Sequence, residues 1–173
     1  DLQVEKSVTW GVFEDRMSGR RLVAFATHFW WKQGDESDAL RELNARRVVE
    51  VVNRVKAKWG DLPVIGGGDL NCEFAATPHR VFTLAGYLNA ARTADVRDPR
   101  PSEHGDPVRN AEGKYEGRLV KQGDVHATYL DHVYYTPALH ATRHAVLADP
   151  LALSVSDHSP VVVDFEIRDG SGR

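Results

Sequence analysis

A single cysteine, Cys72, stands among 173 residues. One thiol excludes an internal disulfide framework and a cysteine-built zinc site. Long hydrophobic runs are missing as well. Nothing approaches the ~18 consecutive apolar residues that a membrane-spanning helix needs. Charge of one sign is not in excess: 22 Lys+Arg stand against 25 Asp+Glu, a net charge of -3. That balance argues against a strongly basic nucleic-acid clamp and leaves room only for a local basic patch. There is no internal repeat and no low-complexity tract, so solenoids and fibres are excluded. Eight histidines are present, yet none stands in HExxH or HxHxDH spacing, which argues against a zinc hydrolase. What remains is ordinary globular usage, 42% hydrophobic and 27% charged, at a length that suits one domain spanning 1–173. Residues 1–60 carry 11 Lys+Arg against 9 Asp+Glu, so the rest of the chain is net acidic. Such an acidic portion is either solvated surface or a carboxylate cluster awaiting a cation.

The pattern along the chain is mixed α/β. Val8 to Phe13 and the apolar run Leu22 to Phe29 read as a hairpin joined at Met17-Ser18-Gly19-Arg20. The second run is nearly continuously apolar, which predicts a strand covered on both faces. Ser37 or Asp38 can cap a helix that runs to about Lys58, with Gly60 as its stop. Leu40, Leu43, Val48, Val51, Val52 and Val55 follow its 3.6-residue period, while Arg41, Glu42, Arg46, Arg47 and Glu50 take other faces. Leu62 to Ile65 is a short buried strand, ended by Gly66-Gly67-Gly68. Thr77-Pro78 reads as an N-cap followed by proline at the first helical position, with Gly86 as terminator. Leu130 to Tyr135 is a further strand. Val161 to Ile167 alternates, with Val161, Val163, Phe165 and Ile167 on one face. Between Gly86 and Leu130, the stretch Asp95 to Asp124 is rich in proline and glycine and reads as one long surface loop.

Four polar clusters fall at the predicted strand ends: Thr27-His28, Gly68-Asp69-Leu70-Asn71, Leu130-Asp131-His132 and Ser156-Asp157-His158. Strand ends are where a rigid frame hands side chains to loops. Asp69 and Asn71 are one residue apart, so in extended backbone they point the same way. An anionic oxygen and an amide so placed can hold a water and a developing oxyanion, or can simply bond their own turn. Asp157-His158 offers a carboxylate for a hard cation beside an imidazole, or a loop contact before Pro160. Asp131 enters a strand, where an inward carboxylate needs a partner such as an imidazolium or must face water. His28 ends an apolar run and by itself reads more readily as a satisfied core histidine.

Taken in order, Ala26-Thr27-His28, Gly68-Asp69-Leu70-Asn71, Leu130-Asp131-His132-Val133 and Ser156-Asp157-His158-Ser159-Pro160-Val161 resemble the motif series of the endonuclease/exonuclease/phosphatase superfamily. These are the DNase I-like metal-dependent phosphoesterases. The resemblance runs from the Trp10 strand to Ile167. It implies a DNase I-like β-sandwich flanked by helices, an α/β/β/α arrangement, of which this chain is the carboxyl-terminal portion. It implies that His28 contacts the scissile phosphate, Asp69 positions the attacking water and Asn71 stabilises the transition state. His158, paired with Asp131, would be the base or charge stabiliser. Asp157 would ligate Mg²⁺ or Mn²⁺. The implied substrate is a phosphate ester: nucleic acid, phospholipid headgroup or sugar phosphate. The Asn and the Glu that the family places in its amino-terminal half, the Glu as principal metal ligand, have no counterpart before Trp10. The amino-terminal half of the fold is therefore expected as a partner segment. The competing expectation is a catalytically inactive binding module of the same fold, against which the presence of all six groups weighs. Of Trp30 and Trp31, one is expected to pack and the other to line a cleft.

Overall fold

The computed structural model describes residues 6–32, 34–98, 100–103, 111–113, 128–148 and 150–168. Strands β1 (Val8–Glu14) and β2 (Arg21–Thr27) form the expected antiparallel hairpin, with Val12 opposite Val23 and Trp10 opposite Phe25. Asp15 closes its turn by accepting the Met17 and Ser18 amides. The chain continues through α1 (Asp35–Trp59), β3 (Val64–Asp69), α2 (Thr77–Leu84), β4 (Leu88–Asn89), α3 (Ala90–Thr93) and β5 (Val96–Arg97). It ends with β6 (Asp131–Tyr135), β7 (Leu139–Val146), α4 (Pro150–Val155) and β8 (Val161–Ile167). Five strands form one sheet in the order β1-β2-β3-β6-β4, and three form a second in the order β5-β7-β8. Strand β3 runs parallel to β2 and antiparallel to β6, which sets Asp69 directly opposite Asp131.

Alternation along the strands builds the layers. One face of the large sheet carries Val23, Phe25, Val64 and Tyr134, which pack with Ala45, Val48, Val52 and Val55 of α1 and Phe82 of α2. The other face offers Ile65, Val133 and Tyr135 to Leu139 and Ala141 of β7 and to Val163, Phe165 and Ile167 of β8. Helices, large sheet and small sheet are therefore stacked in that order. Each fully buried aliphatic or aromatic side chain in these layers contributes about 1.5–3 kcal/mol. Among the described residues no helix is long and apolar enough to cross a membrane.

The structure departs from the sequence reading at several points, each with a physical reason. Strand β2 stops at Thr27, two residues short of the expected Phe29, whose N–H still donates to the Asp69 carbonyl at the end of β3, at 2.9 Å. Nor is β2 covered on both faces: Val23 and Phe25 are buried, while Ala24 is half-buried and Ala26 exposed. The three glycines do not end β3 but continue it through Asp69. They serve close approach between strands. A β-carbon on Gly67 would collide with the His132 carbonyl, and one on Gly68 with that of Thr27.

Helix α1 begins after Gly34, so Ser37 and Asp38 lie inside its first turn rather than capping it. Leu43 is 43% exposed. Arg41 is buried instead, donating to the Trp30 and Lys32 carbonyls and pairing with Asp38. In α2 the cap is Ala76, one residue earlier than expected, and Thr77 is already helical; Gly86 ends the helix as expected at φ +85°. Within the expected long loop, Val96–Arg97 pairs parallel with Arg143–His144 of β7. Residues 104–110 and 114–124 of that loop lie outside the described residues. Strand β7 itself was not anticipated, because a bulge between Ala141 and Arg143 breaks its alternation.

Candidate active site

Strand ends and the loops that leave them bring the predicted groups together. Asp69 ends β3 and Asp131 begins β6 directly across the ladder, while His28 follows β2 on the other side of β3. His158 sits between α4 and β8 and is bridged to Glu103. Its Nδ1 lies 2.6 Å from Asp131 Oδ2, and its Nε2 lies 4.0 Å from Asp69 Oδ2. From the opposite side His28 Nε2 approaches Asp69 Oδ2 to 3.4 Å. One carboxylate is thus flanked by two imidazoles, and one of these is backed by a second carboxylate.

The Asp69–Asn71 turn is tied down locally. The Asn71 N–H donates to Asp69 Oδ1 at 2.8 Å, and its side-chain Nδ2 donates to the Phe29 carbonyl at 3.2 Å. Asn71 holds φ +50°, the only positive φ on a non-glycine among the described residues. The side-chain amide keeps a second N–H for a ligand. Asp157 is half-buried beside His158 and adds negative charge to it. Trp30 packs, donating its Nε1–H to Ser37 Oγ at 3.3 Å, whereas Trp31 is 59% exposed.

Charge follows geometry. The hydrogen bond to Asp131 raises His158 to about 9, with burial opposing and the charges of Asp131, Asp69 and Asp157 assisting. Burial alone would raise Asp131, but the His158 hydrogen bond and charge, with the Ser102 hydroxyl, hold it below the usual carboxylate range. Burial raises Asp69, and the Asp131 charge adds to it; the Asn71 amide and the two imidazoles oppose without cancelling. At neutral pH the site therefore presents an imidazolium–carboxylate pair next to a carboxylate of increased basicity. A cavity of about 410 Å³ runs along Gly68, Asp131, Val133, Ser156, His158 and Pro160.

Sequence reasoning missed several supporting groups. Ser102 Oγ accepts the Asp131 amide at 3.1 Å, and the Ser102 carbonyl takes the Ser159 amide at 2.7 Å. Ser156 Oγ accepts the His158 amide at 3.0 Å. Ser102 follows Pro101 in a stretch without periodicity, so nothing marked it. Behind the turn lie His79, His132 and Cys72, all buried. Burial holds Cys72 up at about 12, so its thiol is inert. Among the described residues no three His, Cys, Asp or Glu side chains converge as a metal cage. Asp157, beside His158, offers a hard carboxylate oxygen of the kind Mg²⁺ takes while keeping most of its waters, so it fits one position of such a shell.

No family model and no curated protein sequence matches the chain. Solved structures do. A mannosyl-6-phosphatase of Bacteroides thetaiotaomicron superposes with a TM-score of 0.72 at 20% identity, covering 94% of this chain and 57% of its own. An endonuclease/exonuclease/phosphatase family protein of the same organism gives 0.68 at 21% identity, covering 92% and 56%. TDP2 of D. rerio, complexed with a single-strand DNA product, gives 0.57 at 15% identity, covering 92% and 62%. The chain has the fold of the endonuclease/exonuclease/phosphatase proteins and spans somewhat over half the length of these neighbours.

Proposed function

We propose, on the premise of that fold, that the protein is a hydrolase of phosphate esters dependent on Mg²⁺ or Mn²⁺. The observation that carries the reading is the Asp69 carboxylate set between His28 and His158, with Asp131 behind His158. Asp69 orients the attacking water and takes its proton, a task its raised affinity for protons suits. A new P–O bond forms, the ester P–O bond breaks, and the departing alcohol takes a proton from solvent. His28 and the His158 imidazolium face the charge that accumulates on phosphate, and Asn71 donates to it. Asp131 keeps His158 protonated and oriented. The raised His158 favours the charge-stabilising role over that of base at neutral pH.

Asp157 would hold the divalent ion, which when bound neutralises phosphate charge. The remaining ligands would come from the amino-terminal half of the fold that the motif resemblance implies. The neighbours' names include a sugar phosphatase and a protein bound to a DNA product, so both monoesters and diesters are candidate substrates. The test is turnover of p-nitrophenyl phosphate and bis-p-nitrophenyl phosphate by the full-length protein, with Mg²⁺ and with chelator. Turnover of at least one ester, abolished by chelator, is expected. Binding of phosphate esters without turnover of either would identify a binding module of the same fold.

A further inference from the structure

Two buried imidazoles take no part in the chemistry above, yet both converge on one carbonyl oxygen. His132 is 1% exposed and His79 8% exposed. Their rings meet edge to face, 4.4 Å between centroids, and Phe74 covers His132 at 4.8 Å. His132 Nε2 lies 3.0 Å from the Cys72 carbonyl and 2.9 Å from the Tyr129 carbonyl. His79 Nε2 lies 3.5 Å from the same Cys72 carbonyl, while its Nδ1 meets the Tyr134 hydroxyl.

The proton positions follow from the partners. Asn89 Oδ1 accepts the Ala91 amide at 3.0 Å as the cap of α3, which fixes the orientation of its side-chain amide. Its Nδ2 therefore faces His132 Nδ1 at 3.4 Å and donates to it. The His132 proton is left on Nε2, where two carbonyl oxygens share it. Burial, with the His79 charge adding, keeps His132 neutral down to about 4, so this tautomer persists across the working range.

Cys72 follows Asn71, and Tyr129 precedes Asp131 by two positions. A single N–H thus staples the turn that carries Asp69 and Asn71 to the entry of the strand that carries Asp131. The Leu70 amide, donating to the Leu130 carbonyl at 2.8 Å, already joins the two segments, and the staple adds a second tie on the far side of the left-handed Asn71. With both rings buried, water has no access to replace them.

We propose that His132, oriented by Asn89 and seconded by His79, is a positioning residue that sets the Asn71 turn in register with Asp131. The inference rests on the phosphoesterase reading and deepens it, and one of its two readouts is independent of activity. The experiment compares wild type, His132→Leu, His132→Gln and Asn89→Leu in the full-length protein. His132→Gln returns an N–H near the Nε2 position. Asn89→Leu leaves the imidazole in place but removes the group that selects its tautomer.

Expected for His132→Leu is a kcat reduced about a hundredfold, the scale of a 1 Å misplacement, with KM nearly unchanged. The Asn71 amide, which bonds Asp69, should exchange with solvent about tenfold faster, the loss of roughly one hydrogen bond. His132→Gln should restore most of both, and Asn89→Leu should show both effects in weaker form even if His132→Leu does not fold. The proposal is overturned if Asn71 exchange is unchanged relative to core amides such as Val23, or if activity falls only with the folded fraction. Should the wild type turn over no phosphate ester, the phosphoesterase reading fails separately, and the exchange measurement still decides the positioning role.

Discussion

Replacing Asp131 by asparagine removes one charge from the site while keeping side-chain size and an oxygen that can accept from His158 Nδ1. The structure fixes what that charge does. The bond to Asp131 at 2.6 Å is the largest cause holding His158 up from 6.5 to about 9. Without it, Asp69 and Asp157 work against burial and the imidazole returns close to its ordinary 6.5. That difference corresponds to about 3 kcal/mol at 1.36 kcal/mol per pH unit. Only 26% of the His158 side chain is exposed, so solvent screening removes a minor part of it. The sign is set by linkage: a pKa raised on folding stabilises fully below the unfolded value of 6.5, and the benefit is lost as pH rises through about 9. On the acid side the benefit persists until Asp131 is itself protonated, below its ordinary 3.8. The assay pairs an NMR titration of the His158 ring with urea unfolding of wild type and Asp131→Asn, both in chelator. The stability gap should be widest near pH 5.5 and close towards pH 9.5. A gap independent of pH, or an Asp131→Asn variant whose His158 still titrates near 9, would show that Asp131 does not hold His158 charged.

Gly67→Ala should destabilise the fold by about 3 kcal/mol, because the added β-carbon meets the His132 carbonyl across the β3–β6 ladder; an unchanged unfolding midpoint in denaturant would contradict this. His132, held down from 6.5 to about 4 by burial, gives the opposite pH sign. Its contribution is complete above pH 6.5 and is lost as pH falls towards 4, so wild type relative to His132→Gln should lose about 3 kcal/mol across that window. Asp157→Asn should raise the Mg²⁺ concentration for half-maximal activity about tenfold or more while leaving the unfolding midpoint nearly unchanged; identical metal titrations would remove Asp157 from the metal site.

Much of this architecture was legible because single-residue patterns were strong. Alternation marked β8, the 3.6-residue period marked α1, and the polar clusters at strand ends pointed to His28, Asp69, Asp131 and His158, which the sheet brings within reach of one another. Other features were not legible because the pattern that would carry them is broken or indirect. The bulge at Ala141/Arg143 hid β7. The glycines of β3 look like a turn until the Phe25, Thr27 and His132 carbonyls are seen pressing on them. Arg41 reads as a surface residue, yet it is buried because two loop carbonyls at Trp30 and Lys32 need a donor. Ser102 and Asn89 reach Asp131 and His132, and His79 reaches Tyr134, across large sequence separations, and no local spacing announces such a bond.

The proposed chemistry turns on Asp69, which between His28 and His158 would activate water for attack on a phosphate ester. The direct measurement is kcat for phosphate-ester hydrolysis in Mg²⁺ by the full-length protein and by its Asp69→Asn variant, with folding of both verified by unfolding midpoint. A fall of about a thousandfold is expected, within the range for loss of a positioned acid–base group, in a variant that remains folded. A folded Asp69→Asn variant that keeps wild-type kcat would contradict it.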